Sequence, residues 1–457
     1  MKRSVVHASV TIAAVAAGAC AGHSRYATPA AAAPAGYKES ANWKPAQPAD
    51  TVLRGKWWEL FGDADLNALE EQIAVSNQTL KAVAAQYEQA RAVVRGARSA
   101  LYPQVAAEPV IAVGQQSGNR AVSSFHSRYG DFLLPVTASY EPDVWGRVRG
   151  TIDASRTTAQ AAAADIESAA LSLHAELASD YFTLRGLDRE RQLLDSAVAA
   201  YQRALELTEN RYRGGIASQA DVAQAETQLE TTRAQAVDVE AARALVEHAV
   251  AVLVGQPASV FSIGVAPLAN APPAVPIGLP TELLERRPDI ASAERRVAAA
   301  TAQAGVASKA YYPLLTLSGV AGFESSSFGS WLAGASTFWS IGPAAMITIF
   351  DAGRRRAAAD QARAALQESS ASYQEAVLTA FREVEDELVV LRVLEEEARI
   401  QDSAVAASER FLTLATNRYR GGVATYLEVI AAQSAALNNQ RAAVGILTRR
   451  KIGRAHV

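Results

Sequence analysis

The sequence has little cysteine, few aromatic residues and no marked excess of charge of either sign. Cys20 is the only cysteine among 457 residues, so no disulfide forms within the chain. The 44 basic and 47 acidic side chains give a net charge of -3, which provides no basic excess for binding nucleic acid. Aromatic residues make up 7%, and much of the 49% hydrophobic content is alanine, a strong helix former with little bulk. This composition favours long, slender helices over the compact core of an enzyme.

Long hydrophobic runs and clusters of catalytic residues are also missing. Beyond the N-terminal segment, no apolar run reaches the roughly 18 residues that a transmembrane helix needs. A chain of this kind that crosses a membrane has to do so as a closed β-barrel. The six histidines show no metal-ligand spacing, and no catalytic constellation is apparent. We therefore predict a protein that is not an enzyme and that has no cofactor and no metal site.

The first residues have the pattern of a secretory signal. Lys2 and Arg3 precede a mostly apolar stretch, so residues 1–19 are predicted to be a signal peptide. Residues 17–20, Ala-Gly-Ala-Cys, are similar to a lipoprotein processing box, although Ala17 stands where a branched apolar residue is usual. Cleavage there would leave Cys20 as an acylated N-terminus that anchors an extended segment, residues 20–62. The alternative is an ordinary signal peptide with an incidental cysteine.

The chain contains a long internal repeat. The motif Asn-Arg-Tyr-Arg-Gly-Gly begins at Asn210 and occurs again at Asn417, 207 residues later. Trp145-Gly146-Arg147 and Ala352-Gly353-Arg354 show the same offset. The period is too long for a solenoid unit, so it indicates a duplicated half. We predict a first structural repeat over 63–254, a Pro-rich linker over 255–280 and a second repeat over 281–450.

Each half has the same predicted order of helix, two strands, long helix and return helix. The first helices are expected at about 64–101 and 288–311, and the strands at about 104–115, 128–140, 314–324 and 337–350. The long helices are expected at 151–213 and 354–420, and each ends at a Gly-Gly turn. The second contains neither Gly nor Pro over 67 residues and would reach roughly 100 Å. In the first, one set of residues follows the 3.5-residue spacing of a coiled-coil seam: Leu187, Leu194, Val198, Tyr201, Leu205, Thr208 and Tyr212.

The strand count predicts an oligomer. Two strands in each half make four in the chain, whereas the smallest membrane barrels need about eight. An unclosed sheet has unpaired edges, which lipid does not tolerate. Other copies of the chain must complete the sheet, and three copies would supply 12 strands.

Several motifs resemble those of the TolC-like outer-membrane efflux proteins, in particular the NodT/OprM-type lipoprotein branch. They are Lys56-Trp57-Trp58, Phe61-Gly62-Asp63, residues 279–290 (LPTELLERRPDI) and the two Asn-Arg-Tyr-Arg-Gly-Gly turns. The resemblance implies a mainly α fold with a membrane β-barrel portion. It further implies a homotrimer with a 12-strand barrel in the outer membrane and a helical tunnel through the periplasm. Its partners would be a periplasmic adaptor and an inner-membrane pump, most often of the RND type.

The resemblance also implies a constriction beside the two Gly-Gly turns. Asp221 and Glu428 match the acidic positions of this constriction, and Tyr419 matches a tyrosine that helps to hold it closed. The family's further acid and its basic partner are replaced by Ala431 and Ala424. Three carboxylates around an axis would attract cations. The alternative is that both acids only stabilise the first turns of the return helices.

These features predict the outer-membrane channel of a tripartite efflux system, a passive duct for drugs, metabolites or metal ions. The same fold in a type I protein secretion system is the alternative, and a trimeric coiled-coil adhesin is the rival from another class. Residues 451–457 depart from the family's usual tail and match one reading frame of a DNA-sequencing adapter. We therefore expect them to be a non-native tail.

Overall fold

The computed structural model describes residues 38, 55–115, 117, 128–266, 268 and 287–456. Cys20, the predicted signal peptide and much of the linker lie outside the described residues. The described helices are α1 (Ala64–Ser76), α2 (Gln78–Ser99), α3 (Arg147–Arg213), α4 (Gln219–Leu253), α5 (Pro288–Lys309), α6 (Arg354–Arg420) and α7 (Tyr426–His456). The described strands are β1 (Gln104–Ala107), β2 (Val110–Gln115), β3 (Arg128–Tyr140), β4 (Leu314–Ser325) and β5 (Thr337–Met346).

The two long helices form as the sequence predicts, and each contains 67 residues. Helix α6 has the predicted bounds, whereas α3 begins at Arg147 rather than at Thr151. The Asp143 carboxylate explains the earlier start, because it accepts the backbone N–H groups of Val148 at 3.0 Å and Arg149 at 2.9 Å. These groups have no partner within the first turn of a helix, so the carboxylate caps it.

The single helix expected over 64–101 is wrong, because Asn77 divides it into α1 and α2. Asn77 has extended backbone angles and is buried. Its side-chain amide donates to the Leu253 carbonyl at 2.8 Å, and its side-chain oxygen accepts the Leu80 N–H at 2.9 Å. One residue therefore ends α1, caps α2 and ties both to the end of α4.

The strands form one antiparallel sheet in the order β1-β3-β4-β5, and β2 also pairs with β3. The strand predicted over 104–115 is interrupted at Glu108-Pro109, since proline has no N–H to donate to the neighbouring strand. Strand β5 ends at Met346, four residues before the predicted end. Among the described residues, the outer edges of β1, β2 and β5 have no strand partner.

One face of this sheet is mostly apolar. The pairing register places Val136 opposite Ala321 and Ala321 opposite Trp339, so side chains of alternate residues share one face. That face includes Val105, Phe132, Leu134, Val136, Tyr140, Leu315, Leu317, Phe323, Trp339 and Ile341. The Trp339 and Ile341 side chains are 77% and 68% exposed. Polar side chains lie on the other face, among them Asp131, Thr137, Ser139, Thr316, Ser318, Glu324 and Ser340.

The chain forms two compact units. The first comprises Gln86–Ala164 and Ile290–Glu375 and contains the sheet. The second comprises the described residues within Ala31–Ala85, Asp165–Asp289 and Ala376–Val457 and contains two hydrophobic clusters. Of the helices in the described ranges, none is both long enough and apolar enough to cross a membrane.

One cluster of the second unit packs the tryptophan pair Trp57-Trp58 against helices. Trp58 is buried and stacks on His174 with ring centroids 4.3 Å apart. The Nδ1 of His174 lies 2.6 Å from a carboxylate oxygen of the fully buried Glu70. Burial raises the pKa of the Glu70 carboxyl, and the hydrogen bond with His174 opposes that rise. Sequence patterns gave no indication of this buried polar pair.

The other cluster contains most of the predicted coiled-coil seam. Leu194, Tyr201, Leu205 and Thr208 are buried, as the spacing predicts. Tyr212 departs from the pattern because its side chain is 46% exposed. The seam therefore ends before the turn that follows α3.

The close approach of α3 and α7 in this unit accounts for a glycine within a long helix. A Cβ atom at Gly186 would overlap the Thr448 side chain. Helix α7 continues through residues 451–456, where Lys451 and Ala455 are buried. That residues 451–457 are a non-native tail stays a prediction.

Candidate functional site

The two Gly-Gly turns have nearly the same backbone. In the first, Gly215 adopts φ 71° and its N–H donates to the Tyr212 carbonyl at 2.9 Å. In the second, Gly422 adopts φ 76° and its N–H donates to the Tyr419 carbonyl at 3.0 Å. Glycine adopts this left-handed conformation without steric cost, so each pair stops a long helix and starts the return helix. The two turns differ in their side-chain contacts.

Asp221 forms a capping box at the start of α4. The Asp221 N–H donates to the Ser218 hydroxyl at 3.1 Å, and the Ser218 N–H donates to the Asp221 carboxylate at 2.9 Å. The Ser218 hydroxyl also lies 2.9 Å from the same carboxylate oxygen. This geometry satisfies otherwise unpaired N–H groups of the first turn and places a negative charge at the positive end of the helix dipole. Asp221 therefore has the structural role that the sequence left as its alternative.

Glu428 occupies the equivalent position of α7 but has a different partner. Its carboxylate lies 3.6 Å from the Arg418 guanidinium, and the two side chains are 40% and 58% exposed. An exposed pair at this distance adds little stability. The Glu428 carboxylate consequently remains accessible to ions in solution.

Tyr419 is buried between the two turns, with only 5% of its surface exposed. The Arg211 guanidinium lies 4.6 Å from the centroid of its ring and donates to its carbonyl oxygen at 3.0 Å. The Tyr419 hydroxyl lies 3.3 Å from the Thr208 hydroxyl. Residues of the first turn thus bind the second turn through its tyrosine.

Tyr426 belongs to the same cluster, although sequence reasoning did not identify it. It is 2% exposed, and its ring centroid lies 5.3 Å from that of Tyr419. Burial raises the pKa of Tyr426 to about 12, with smaller contributions from Tyr419, Tyr201 and Asp221. The first repeat has Gln219 at the equivalent position, so a comparison of the two repeats does not single out this aromatic residue.

The structure thus brings Tyr419 together with the end of α3, and it places Asp221 and Glu428 in the first turns of α4 and α7. Cys20, the predicted lipid-attachment residue, lies outside the described residues. Within the described ranges, no group of three or more His, Cys, Asp or Glu side chains is arranged to hold a metal ion. The cluster has buried hydroxyls and guanidinium contacts, which suit it to holding two helical hairpins together.

Comparisons with known proteins agree with this architecture. The model of the outer membrane efflux protein family matches residues 69–256 and 279–456. The toluene efflux pump outer membrane protein TtgC of Pseudomonas putida is 30% identical, over 97% of this chain and 92% of the relative. The pyoverdine export outer membrane protein OpmQ of Pseudomonas putida is 32% identical, over 88% of this chain and 86% of the relative.

Among solved structures, the outer-membrane channel OprN is 29% identical, with a TM-score of 0.88 over 96% of this chain and 98% of OprN. The fold predicted from the sequence is confirmed by this likeness, which extends over both repeats. The chain therefore belongs to the outer membrane efflux protein family.

Proposed function

We propose that this chain is the outer-membrane channel subunit of a tripartite efflux system and acts as a passive exit duct for small molecules. The observation that carries the proposal is the sheet with one apolar face, joined directly to two helices of 67 residues. The apolar face suits contact with lipid, and the helices suit a path across the periplasm. Transport energy would come from an inner-membrane pump.

The sheet edges support assembly as a homotrimer. The outer edges of β1, β2 and β5 have no strand partner among the described residues. Unpaired backbone N–H and C=O groups are very unfavourable in lipid, so a membrane-embedded sheet needs its edges covered. A second and a third copy of the chain would each contribute the edge that the first copy lacks.

A periplasmic adaptor and an inner-membrane pump, most often of the RND type, are the proposed partners. The names of TtgC and OpmQ connect those relatives with toluene efflux and with pyoverdine export. Both are small molecules, which favours small-molecule efflux over protein secretion for this chain as well. The duct of a type I protein secretion system remains the alternative function.

The two turns are the proposed constriction of the duct. Tyr419 would hold the turns together, while Asp221 and Glu428 would form rings of negative charge when three copies meet. Glu428 suits this role because its carboxylate is exposed and only weakly paired. Asp221 already caps a helix, and one carboxylate can both accept N–H groups and attract a cation. Lipidation of Cys20 is the proposed anchor of the N-terminal segment.

A complementation experiment tests the function. The gene would be expressed with a cognate adaptor and RND-type pump in a Gram-negative host that lacks its own outer-membrane channels. We expect restored resistance to small toxic substrates and fractionation of the protein with outer membranes. The same host would carry, separately, a protein-exporting ATPase with its substrate. Secretion of that protein without restored resistance would instead support the type I secretion alternative.

A further inference from the structure

An arginine-rich groove lies between α2 and α3 in the unit that contains the sheet. The groove has a volume of about 400 Å³, and four arginines line it: Arg91, Arg95, Arg98 and Arg156. Arg91, Arg95 and Arg98 follow each other at steps of four and three residues, so they share one face of α2. Arg156 faces them from α3. We call this surface the arginine groove.

The charges of the arginine groove are poorly compensated. Arg91 pairs with Glu88 at 2.8 Å, and its guanidinium lies 5.6 Å from the centroid of the Tyr87 ring. Arg95, Arg98 and Arg156 make no ion pair with a described residue. Like charges on adjacent helix positions disfavour the fold. All four arginines are exposed, so their concentration in one groove offers a site for a negatively charged occupant.

The position of the arginine groove along the chain indicates which occupant is available. Helix α2 ends at Ser99, shortly before β1 begins at Gln104. Arg156 lies nine residues after the start of α3, or about 14 Å along that helix. The groove is thus adjacent to the helical end of the sheet, where the apolar face ends.

Aromatic residues mark the same end of the sheet. Trp145 stacks on Tyr312 with ring centroids 5.0 Å apart, and its Nε1 donates to the Pro313 carbonyl at 2.8 Å. Tryptophan and tyrosine are enriched where a membrane protein passes through the headgroup region. The arginine groove therefore lies close to the level of lipid headgroups on the helical side of the membrane.

We propose that the arginine groove binds the phosphate headgroup of an anionic phospholipid. This inference rests on the membrane placement given under the proposed function. Guanidinium groups form paired, charge-assisted hydrogen bonds with phosphate oxygens. The neighbouring apolar sheet face would receive the acyl chains, which a free phosphate ion lacks. A zwitterionic lipid also carries a phosphate, but its cationic headgroup opposes the excess positive charge of the groove.

Native mass spectrometry of the full-length protein, extracted in mild detergent and stripped of lipid, tests the proposal. Phosphatidylglycerol and phosphatidylethanolamine with the same acyl chains would be added to the wild type and to the triple variant R95Q/R98Q/R156Q. The control R203Q/R399Q/R410Q loses the same charge at exposed arginines outside the groove. Each basic residue near an anionic lipid surface is worth roughly a factor of five in binding, so we expect the triple variant to lose a preference of tenfold or more. The control should keep it.

Three further readings make the result decisive. The variant R95K/R98K/R156K preserves the charge but not the paired hydrogen bonds of the guanidinium groups, so it should retain more of the preference than the glutamine variant. This comparison separates charge loss from misfolding. If R95Q/R98Q/R156Q fails to assemble, R95Q alone replaces it, and a smaller loss of preference is expected. A wild type without a preference for phosphatidylglycerol, or a triple variant with the wild-type preference, overturns the proposal. If inorganic phosphate displaces bound phosphatidylglycerol as effectively as added phosphatidylglycerol does, the groove binds a free anion instead of a lipid. Fractionation of cells that express the wild type tests the proposed function separately. A protein absent from outer membranes would contradict the proposed function, whereas a protein found there without a lipid preference would contradict only the proposal for the groove.

Discussion

The guanidinium of Arg211 lies 4.6 Å from the ring centroid of Tyr419 and donates to its carbonyl oxygen at 3.0 Å. Arg418 is the equivalent of Arg211 in the second repeat, but it pairs with Glu428 at the surface. Two nearly identical motifs therefore make unlike contacts, and only the first binds the opposite turn. This difference makes Arg211, together with Thr208, a residue that links the two turns within one chain.

Replacement of Arg211 by Ala should weaken the closed constriction. The loss of one cation–π contact and one charged hydrogen bond is worth about 2 kcal/mol. If the contact forms only in the closed channel, its loss shifts the ratio of open to closed channels by up to about thirtyfold. Conductance of single channels in planar lipid bilayers measures this shift. R418A is the matched control, because it frees the Glu428 carboxylate at the surface but should leave the ratio of open to closed channels near that of the wild type. Equal effects of R211A and R418A would contradict the assigned role.

The charge of Asp221 and its capping role can be separated. D221N removes the carboxylate charge, whereas S218A breaks the capping box and keeps the charge. If three Asp221 side chains form a cation-binding ring, D221N should reduce channel block by divalent cations, and S218A should not. S218A should instead lower the stability of α4 by about 1 kcal/mol. Block that is the same in D221N and the wild type would leave Asp221 only its role as a cap.

Asp180 should make the protein less stable as the pH rises towards neutrality. Burial, with a smaller contribution from Glu176, raises the pKa of Asp180 from 3.8 to about 6. The protonated form is favoured in the folded state, so the stabilisation is present below pH 3.8 and is lost as the pH rises through 6. D180N should raise the apparent melting temperature at neutral pH. The corresponding gain in the free energy of unfolding is at most about 3 kcal/mol. D402N at an exposed position should show no such dependence, and a D180N effect that is constant with pH would refute the assignment.

Gly186 should not tolerate alanine. A methyl group there would overlap Thr448, so G186A should destabilise the second unit by about 1–3 kcal/mol. At Gly445, also within a helix, an added Cβ meets nothing within 4 Å, and G445A should be neutral or stabilising. The double variant G186A/T448A should recover part of the lost melting temperature. No recovery would show that the overlap with Thr448 is not the cause.

Much of the fold follows from the sequence because its signals are regular. The absence of Gly and Pro from Arg354 to Arg420 predicts one uninterrupted helix, and the structure has that helix with the same bounds. The alternation from Arg128 to Tyr140 similarly predicts β3 with its observed bounds. Such long patterns leave few competing structures.

Other features depend on contacts between distant residues, and the sequence does not reveal these. Asn77 divides a predicted helix because Leu253, 176 residues away, accepts its side-chain hydrogen bond. Tyr212 and Tyr419 stand in the same motif, yet one is 46% exposed and the other 5%. Only the packing of the two repeats against each other distinguishes them. Tyr426 is not apparent from the repeat because the first repeat has Gln219 at the equivalent position.

The mass of the assembled protein tests the central claim most directly. The protein would be extracted from outer membranes in mild detergent, and its oligomeric mass measured by native mass spectrometry or by light scattering corrected for detergent. We predict a stable species of three chains, because three copies would cover the unpaired edges of β1, β2 and β5. A folded monomer with the sheet intact would contradict the shared sheet and, with it, the proposed duct.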